Sequence, residues 1–244
     1  MSLSEPPRSR FSALPRRRFA CHLAHGAGAV PIATLDLVNG QRFVFTGHIA
    51  GVGTESGVRL VIGRWPVSPF GSFADVMVQT PDDERILLAP SSEVADFVSS
   101  TYQFDRIELG EVTADLTSDR LTVGAPGLDV TVRIGAAAPV DRLLRLVPGR
   151  LATAPWWLAA INPVAALIVP GVRTAGSAGN GRREYYGVRR SRRVIGAQGT
   201  FCGRDLGGLA PLLPAVSFGF SSAPPDPQIV SVTTTIDMPA SVAG

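Results

Sequence analysis

The chain has 244 residues, with 23 basic and 20 acidic side chains, and every basic residue is Arg. Without Lys it cannot form a lysine Schiff base, hold pyridoxal phosphate through a lysine or build a Walker-type phosphate site. Its two Cys and three His are too few for a disulfide scaffold or a four-thiolate zinc site. We therefore predict a chain without a metal or a cofactor, whose 45% hydrophobic residues suffice for a sizeable core.

Residues 1–40 are predicted to form a flexible basic tail, because they contain five Arg and no uninterrupted apolar run. Arg16-Arg17-Arg18-Phe19 resembles the twin-arginine pattern of exported proteins. A signal peptide also needs an apolar stretch, which the segment that follows lacks. We therefore expect a cytoplasmic protein rather than an exported one, with membrane association as the alternative. Residues 239–244 are predicted to form a second, short tail.

From Gln41 onward the apolar residues recur mostly at every second position, which is typical of half-buried strands. Residues 73–79 and 85–89 flank a Pro-Asp-Asp-Glu turn and predict a hairpin. Ser91 can cap a short helix. The clearest alternation of apolar and polar residues spans 128–134 and predicts a strand.

Residues 139–169 interrupt the strands with apolar residues at helical spacing, and we predict a helical insertion there with a break before Pro163. Residues 151–172 carry no charge and are long enough to span a bilayer. Three prolines and Asn162 favour buried helices instead. Interfacial membrane contact through Trp156 and Trp157 is an intermediate possibility.

Strands are predicted to resume over 184–196, 216–220 and 229–236. Short strands with frequent turns favour a closed barrel or a sandwich. We therefore predict one mainly β domain over residues 41–238, an antiparallel β-barrel-like (lipocalin- or calycin-like) fold with the helical insertion. A barrel of roughly eight strands can hold one small ligand.

Two segments resemble an uncharacterised family of actinobacterial proteins, and the resemblance covers most of residues 42–236. One reads WPVSPFGSFADV from Trp65 to Val76, and the other runs from Gly171 to Gly187 and includes GNGRREYYG. The resemblance implies no activity and no catalytic residue. The strand order is also similar to that of lipocalin-like and acetoacetate-decarboxylase-like barrels, although the catalytic lysine of the decarboxylases has no counterpart in a chain without Lys.

Aromatic and Arg side chains near these segments are the candidate ligand-binding residues. An apolar pocket wall would use Trp65, Phe70 and Phe73, although aromatic residues are by default core residues. Tyr185 and Tyr186 would point to opposite faces of a strand, so one of them would face the pocket. Arg side chains beside the glycine-rich loop, Arg173 and Arg182, would meet an anionic head group at the rim.

We predict a non-catalytic protein that binds a small apolar or amphipathic molecule in a β-barrel-like pocket. The first alternative is a cofactor-independent enzyme of the lyase, isomerase or cyclase type, with Asp75 or Glu184 as acid or base and a Tyr or Arg as oxyanion donor. The second alternative is a peripheral membrane protein. The Arg-rich run 189–193 lacks any accompanying nucleic-acid-binding motif, so we predict no nucleic-acid partner.

Overall fold

The computed structural model of the protein describes residues 41–168, 174–177, 181–219 and 223–238. Its strands are β1 (Arg42–Thr54), β2 (Arg59–Val67), β3 (Phe73–Gln79), β4 (Arg85–Ala89), β5 (Arg106–Leu109), β6 (Thr113–Leu116), β7 (Arg120–Ala125), β8 (Leu128–Ala137), β9 (Ala175–Ser177), β10 (Arg183–Phe201), β11 (Arg204–Asp205), β12 (Leu209–Ala210) and β13 (Gln228–Asp237). Its helices are α1 (Ser92–Ser99), α2 (Asp141–Leu144), α3 (Gly149–Ala152) and α4 (Pro155–Ile168). The two predicted tails lie outside the described residues.

The strands form one curled sheet whose main path runs β5-β4-β3-β2-β1-β13-β10-β8-β7-β6. Strands β1 to β4 form one antiparallel meander, and β6 to β8 form a second. Strands β13 and β10 join the meanders, since β13 pairs with β1 on one side and with β10 on the other. The β4–β5 pair is parallel because α1 crosses over between these strands. The predicted mainly β, barrel-like fold is confirmed.

The most regular sequence patterns give the elements that they predict. Strands β3 and β4 form the expected hairpin over residues 73–79 and 85–89. Ser91 caps α1 by accepting a hydrogen bond from the backbone N–H of Val94 at 3.3 Å. In β8, alternate residues from Leu128 to Ile134 are buried.

The two faces of the sheet bury different kinds of side chain. On one face, here called the aliphatic face, Val, Leu and Ile side chains from β1 to β4 pack against those from β7 and β8. Leu60, Ile62, Val76 and Val130 are among those with 0–1% exposure. The next residue along each strand points to the opposite face, here called the cavity face.

The helical insertion consists of α2, α3 and α4, and polar side chains near its two ends attach it to the sheet. Asp141, buried at the start of α2, accepts a hydrogen bond at 3.0 Å from the backbone N–H of Ser191 in β10. Asn162 in α4 accepts hydrogen bonds through Oδ1 from the backbone N–H groups of Thr174 and Ala175, at 2.8 and 3.2 Å. These bonds hold β9 beside α4.

Two local expectations from the sequence are wrong. Helix α4 continues through Pro163 instead of ending before it, since one proline removes one donor without preventing the neighbouring turns. Residues 216–219 are irregular rather than a strand, and Phe220 lies outside the described residues. A hydrogen bond to a side chain holds this segment instead of strand pairing. The backbone N–H of Ser217 donates to Gln79 Oε1 at 2.8 Å.

In the sequence, the uncharged segment 151–172 is long enough to span a bilayer. Among the described residues, none of the helices is long and apolar enough to cross a membrane.

Candidate functional site

A cavity of about 400 Å³ lies against the cavity face of the sheet. Strands β1, β2, β3, β10 and β13 form its floor, and four separate segments cover it. The covering segments are α1 with Thr101 and Tyr102 after it, residues 140–147, the α3–α4 region and residues 216–226 as far as they are described. The cavity therefore lies on the opposite side of the sheet from the closely packed aliphatic face, whereas the sequence suggested a pocket inside a barrel.

Aromatic side chains form one wall of the cavity. Trp65, Phe73 and Phe97 line it together with Phe45, whose ring lies 5.8 Å from Trp65 and 5.3 Å from Phe97. Phe70 does not line the cavity. Its ring lies 5.0 Å from that of Phe97 and supports this wall from behind.

Asp75 lies in the cavity wall with 3% of its surface exposed. Its Oδ1 accepts a hydrogen bond from Trp65 Nε1 at 2.9 Å. Burial raises the pKa of Asp75 to about 6, and the Trp65 bond opposes this rise. Gly63 makes the pair possible, because a Cβ at this position would lie 2.2 Å from Asp75 Oδ1 and 2.5 Å from Trp65 Nε1.

Glu184 is the second acid in the cavity wall and is fully buried. The Tyr102 hydroxyl donates a hydrogen bond to Glu184 Oε1 at 2.6 Å and lies 2.5 Å from the Tyr186 hydroxyl. Burial raises the pKa of Glu184 to about 7, against the lowering effect of the hydrogen bonds from the two tyrosines. Burial and the nearby Glu184 raise the pKa of Tyr102 well above its ordinary value, so Tyr102 keeps its proton at neutral pH.

The structure brings five of the sequence-predicted site residues to one cavity: Trp65, Phe73, Asp75, Glu184 and Tyr186. The two tyrosines point to opposite faces of β10. Tyr185 packs against Leu158 and Ala175 and does not line the cavity.

The two predicted rim arginines have other positions. Arg182 is buried and donates hydrogen bonds to Ser100 Oγ and, at 2.8 Å, to Thr101 Oγ1. Its guanidinium also lies 5.5 Å from the centre of the Phe97 ring. Arg182 therefore joins the start of β10 to the end of α1 and does not line the cavity, and Arg173 lies outside the described residues.

Sequence reasoning did not find Tyr102, which makes the closest contact with Glu184. The two residues are 82 positions apart, and Tyr102 follows α1 in a segment without a motif. Its position is fixed by the backbone, since the N–H of Tyr102 donates to the Val98 carbonyl at 2.9 Å and that of Gln103 to the Phe218 carbonyl at 2.7 Å.

The chemical capacity of the site comes from two buried carboxyl groups and two tyrosine hydroxyls in a mainly apolar cavity. Carboxyl groups with pKa values near 6 and 7 can both accept and donate a proton close to neutral pH. In the part of the chain that the structure describes, no group of three or more His, Cys, Asp or Glu side chains is placed to hold a metal ion.

The chain matches no protein-family model and no curated protein. Among solved structures it is similar to acetoacetate decarboxylase from Legionella pneumophila, with a TM-score of 0.39 and 11% sequence identity. That similarity covers 86% of this chain and 90% of the decarboxylase chain.

Proposed function

We propose that this protein binds a small apolar or amphipathic molecule in the cavity without transforming it. The observation behind the proposal is a cavity of about 400 Å³ whose lining is mainly apolar and aromatic, with a few polar groups in its wall. Its volume lies in the range of about 300–1,000 Å³ that is common for small-molecule sites. Apolar side chains that line a cavity gain van der Waals contacts from a ligand of matching shape.

Native mass spectrometry of the purified protein and titration with the neutral dye Nile red test this proposal. A co-purified lipid, or a saturable rise in dye fluorescence, is the expected result. Val230→Phe fills part of the cavity and is expected to weaken dye binding about tenfold or more. Val44→Phe makes the same change at a residue that is 41% exposed and does not line the cavity.

A single mass without ligand, together with no saturable binding of any apolar probe, would contradict the proposal. Equal dye affinity in Val230→Phe and the wild type would place the binding site elsewhere.

The alternative of a cofactor-independent lyase, isomerase or cyclase has its own supporting observation. Asp75 and Glu184 are both buried in the same cavity wall, and burial raises both pKa values toward neutrality. Such carboxyl groups are typical general acids and bases. In this scheme, Tyr102 or Tyr186 would donate a hydrogen bond to a developing oxyanion.

The catalytic alternative is tested by screening for turnover and then measuring Asp75→Asn and Glu184→Gln. Both variants are expected to keep the far-UV circular dichroism of the wild type and to lose about a hundredfold or more in turnover. Wild-type turnover in both variants would remove the roles assigned to these residues.

Peripheral membrane contact is also retained as a proposal, because three large apolar side chains of the helical insertion are exposed. Leu143, Leu146 and Trp156 are 50%, 77% and 67% exposed. Co-flotation with vesicles that contain anionic lipid is expected for the wild type and is expected to weaken in Leu146→Ser/Trp156→Ser. Equal recovery of both proteins in the vesicle-free fraction would remove this proposal.

A further inference from the structure

The charged residues that line the cavity share one sign. Of the described lining residues, Asp75, Glu184 and the exposed Asp226 are acidic, and none is basic. The guanidinium of Arg182, which the sequence suggested for an anionic head group, is bonded to Ser100 and Thr101 at the end of α1. The described cavity wall therefore offers an anionic ligand no counter-charge.

Three polar atoms of this wall are buried without a hydrogen-bond partner among the described residues, namely Glu184 Oε2, Thr234 Oγ1 and Trp157 Nε1, and only Glu184 Oε2 belongs to an ionisable group. Glu184 Oε1 accepts the bond from Tyr102, but Glu184 Oε2 is buried and has no hydrogen-bond partner among the described residues. A buried polar atom without a partner costs free energy, and such atoms are uncommon in folded proteins. Because Glu184 lines the cavity, a ligand is well placed to supply the missing donor.

We propose that the cavity takes an amphipathic molecule whose polar end is a hydrogen-bond donor and is not anionic, namely an aliphatic amine or alcohol, which donates to Glu184. The inference rests on the proposed binding function and specifies its ligand class. An ammonium would pair with the carboxylate, and a hydroxyl would donate to it. A carboxylate or sulfate would instead bring a like charge beside buried acids.

A matched series of decylamine, decanol and decanoate tests the ligand class, because the three molecules share one chain and differ in the head group. Each is titrated as a competitor against Nile red bound to the wild-type protein. Decylamine and decanol are expected to displace the dye at concentrations about tenfold or more below that of decanoate. Decanoate displacing the dye as well as the other two would overturn the inference and leave the proposed binding function intact.

Dye binding without displacement by any of the three would also overturn the ligand class. Absence of dye binding and of binding by all three would instead contradict the proposed function itself.

The role of Glu184 is tested in the variant Glu184→Gln, with Glu93→Gln as the control for the same change of charge on the exposed surface of α1. Glu184→Gln is expected to weaken decylamine binding about tenfold and to change decanol binding less. The difference in affinity between decylamine and decanoate is therefore expected to become smaller. Glu93→Gln is expected to keep the wild-type order of the three. Unchanged decylamine affinity in Glu184→Gln would overturn the assignment of Glu184 as the head-group acceptor.

Discussion

The two faces of the central sheet differ in composition although the same strands build both. The aliphatic face contains Val, Leu and Ile side chains that are almost fully buried, and its packing needs no polar group. The cavity face contains aromatic rings, two buried acids and Gly63, whose missing side chain leaves space for the Asp75–Trp65 pair. The two faces therefore have different tasks, since one face stabilises the fold and the other leaves a cavity with a few polar groups in its wall.

The largest expected effect is a difference in the free energy of unfolding. It is the difference between truncating a side chain on the aliphatic face and truncating one of similar size on the cavity face. Leu60→Ala removes a fully buried side chain of the aliphatic face and is expected to lower the free energy of unfolding by about 2–5 kcal/mol. Met77→Ala changes a partly buried residue of the cavity face, where open volume already exists, and is expected to cost less than half as much. Urea denaturation measures both, and equal losses would show that the faces do not differ in packing.

The second-largest expected effect is a pH dependence of the free energy of unfolding, which comes from the two buried acids of the cavity face. The folded-state pKa values of Asp75 and Glu184, about 6 and about 7, lie above their ordinary values of 3.8 and 4.5. Between these limits the folded state binds more protons than the unfolded state, so the free energy of unfolding falls as the pH rises from about 4 to about 7. Each carboxyl group adds to this fall.

In Glu184→Gln the change in the free energy of unfolding between pH 5 and pH 8 is expected to be smaller than in the wild type by about 2–3 kcal/mol. Glu93→Gln on the surface of α1 is expected to keep the wild-type slope. Urea denaturation across this pH range measures both, and a wild-type slope in Glu184→Gln would mean that Glu184 is not buried as described.

A smaller effect is expected when Glu184 loses its closest partner. Tyr102→Phe removes one hydrogen bond to this carboxyl group and is expected to cost about 1.5 kcal/mol. It should also raise the pKa of Glu184 further, which a carbon-13 NMR titration of the carboxyl group detects. Tyr185→Phe, on the other face of β10, is expected to leave that titration unchanged, and an equal shift in both variants would contradict the assigned contact.

The smallest effect is expected at the end of the strands, away from both packed faces. Arg42 forms an ion pair with Asp237 at 2.7 Å, and the Arg42 side chain is 56% exposed. Because solvent and salt screen such pairs, Arg42→Gln is expected to change the free energy of unfolding by less than about 1 kcal/mol. A loss as large as that of Leu60→Ala would show that stability does not come mainly from the buried face.

Much of the sheet could be predicted from the sequence because many strands bury one face more fully than the other. Regular alternation located β8, and turn residues located the β3–β4 hairpin. Alternation cannot tell which face encloses a cavity when both faces are apolar, as at Leu60 and Val61 in β2. The position of the cavity therefore depends on the covering segments, whose places in the fold the alternation does not indicate.

The candidate site was harder to predict because its contacts join distant parts of the chain. Asp75, Glu184 and Tyr186 could be named from residue type and local pattern, and all three line the cavity. The contact between Tyr102 and Glu184 leaves no local pattern. Arg182 has the chemistry of an anion-binding residue, but it donates hydrogen bonds to the end of α1. This use of Arg182 depends on the fold and cannot be seen from the residues beside it in the sequence.

The place of β13 in the sheet has a consequence for synthesis on the ribosome. This strand follows every other described strand of the sheet in the chain, yet it lies between β1 and β10 and pairs with both. Until β13 has emerged, only β12 pairs with the far edge of β1 among the described strands, at Gly53 and Thr54, and β10 exposes the edge at residues 183–193 that later pairs with β13. Unpaired edges of this kind invite association with other chains. The sheet is therefore completed in a late step, after the residues of both meanders have been synthesised.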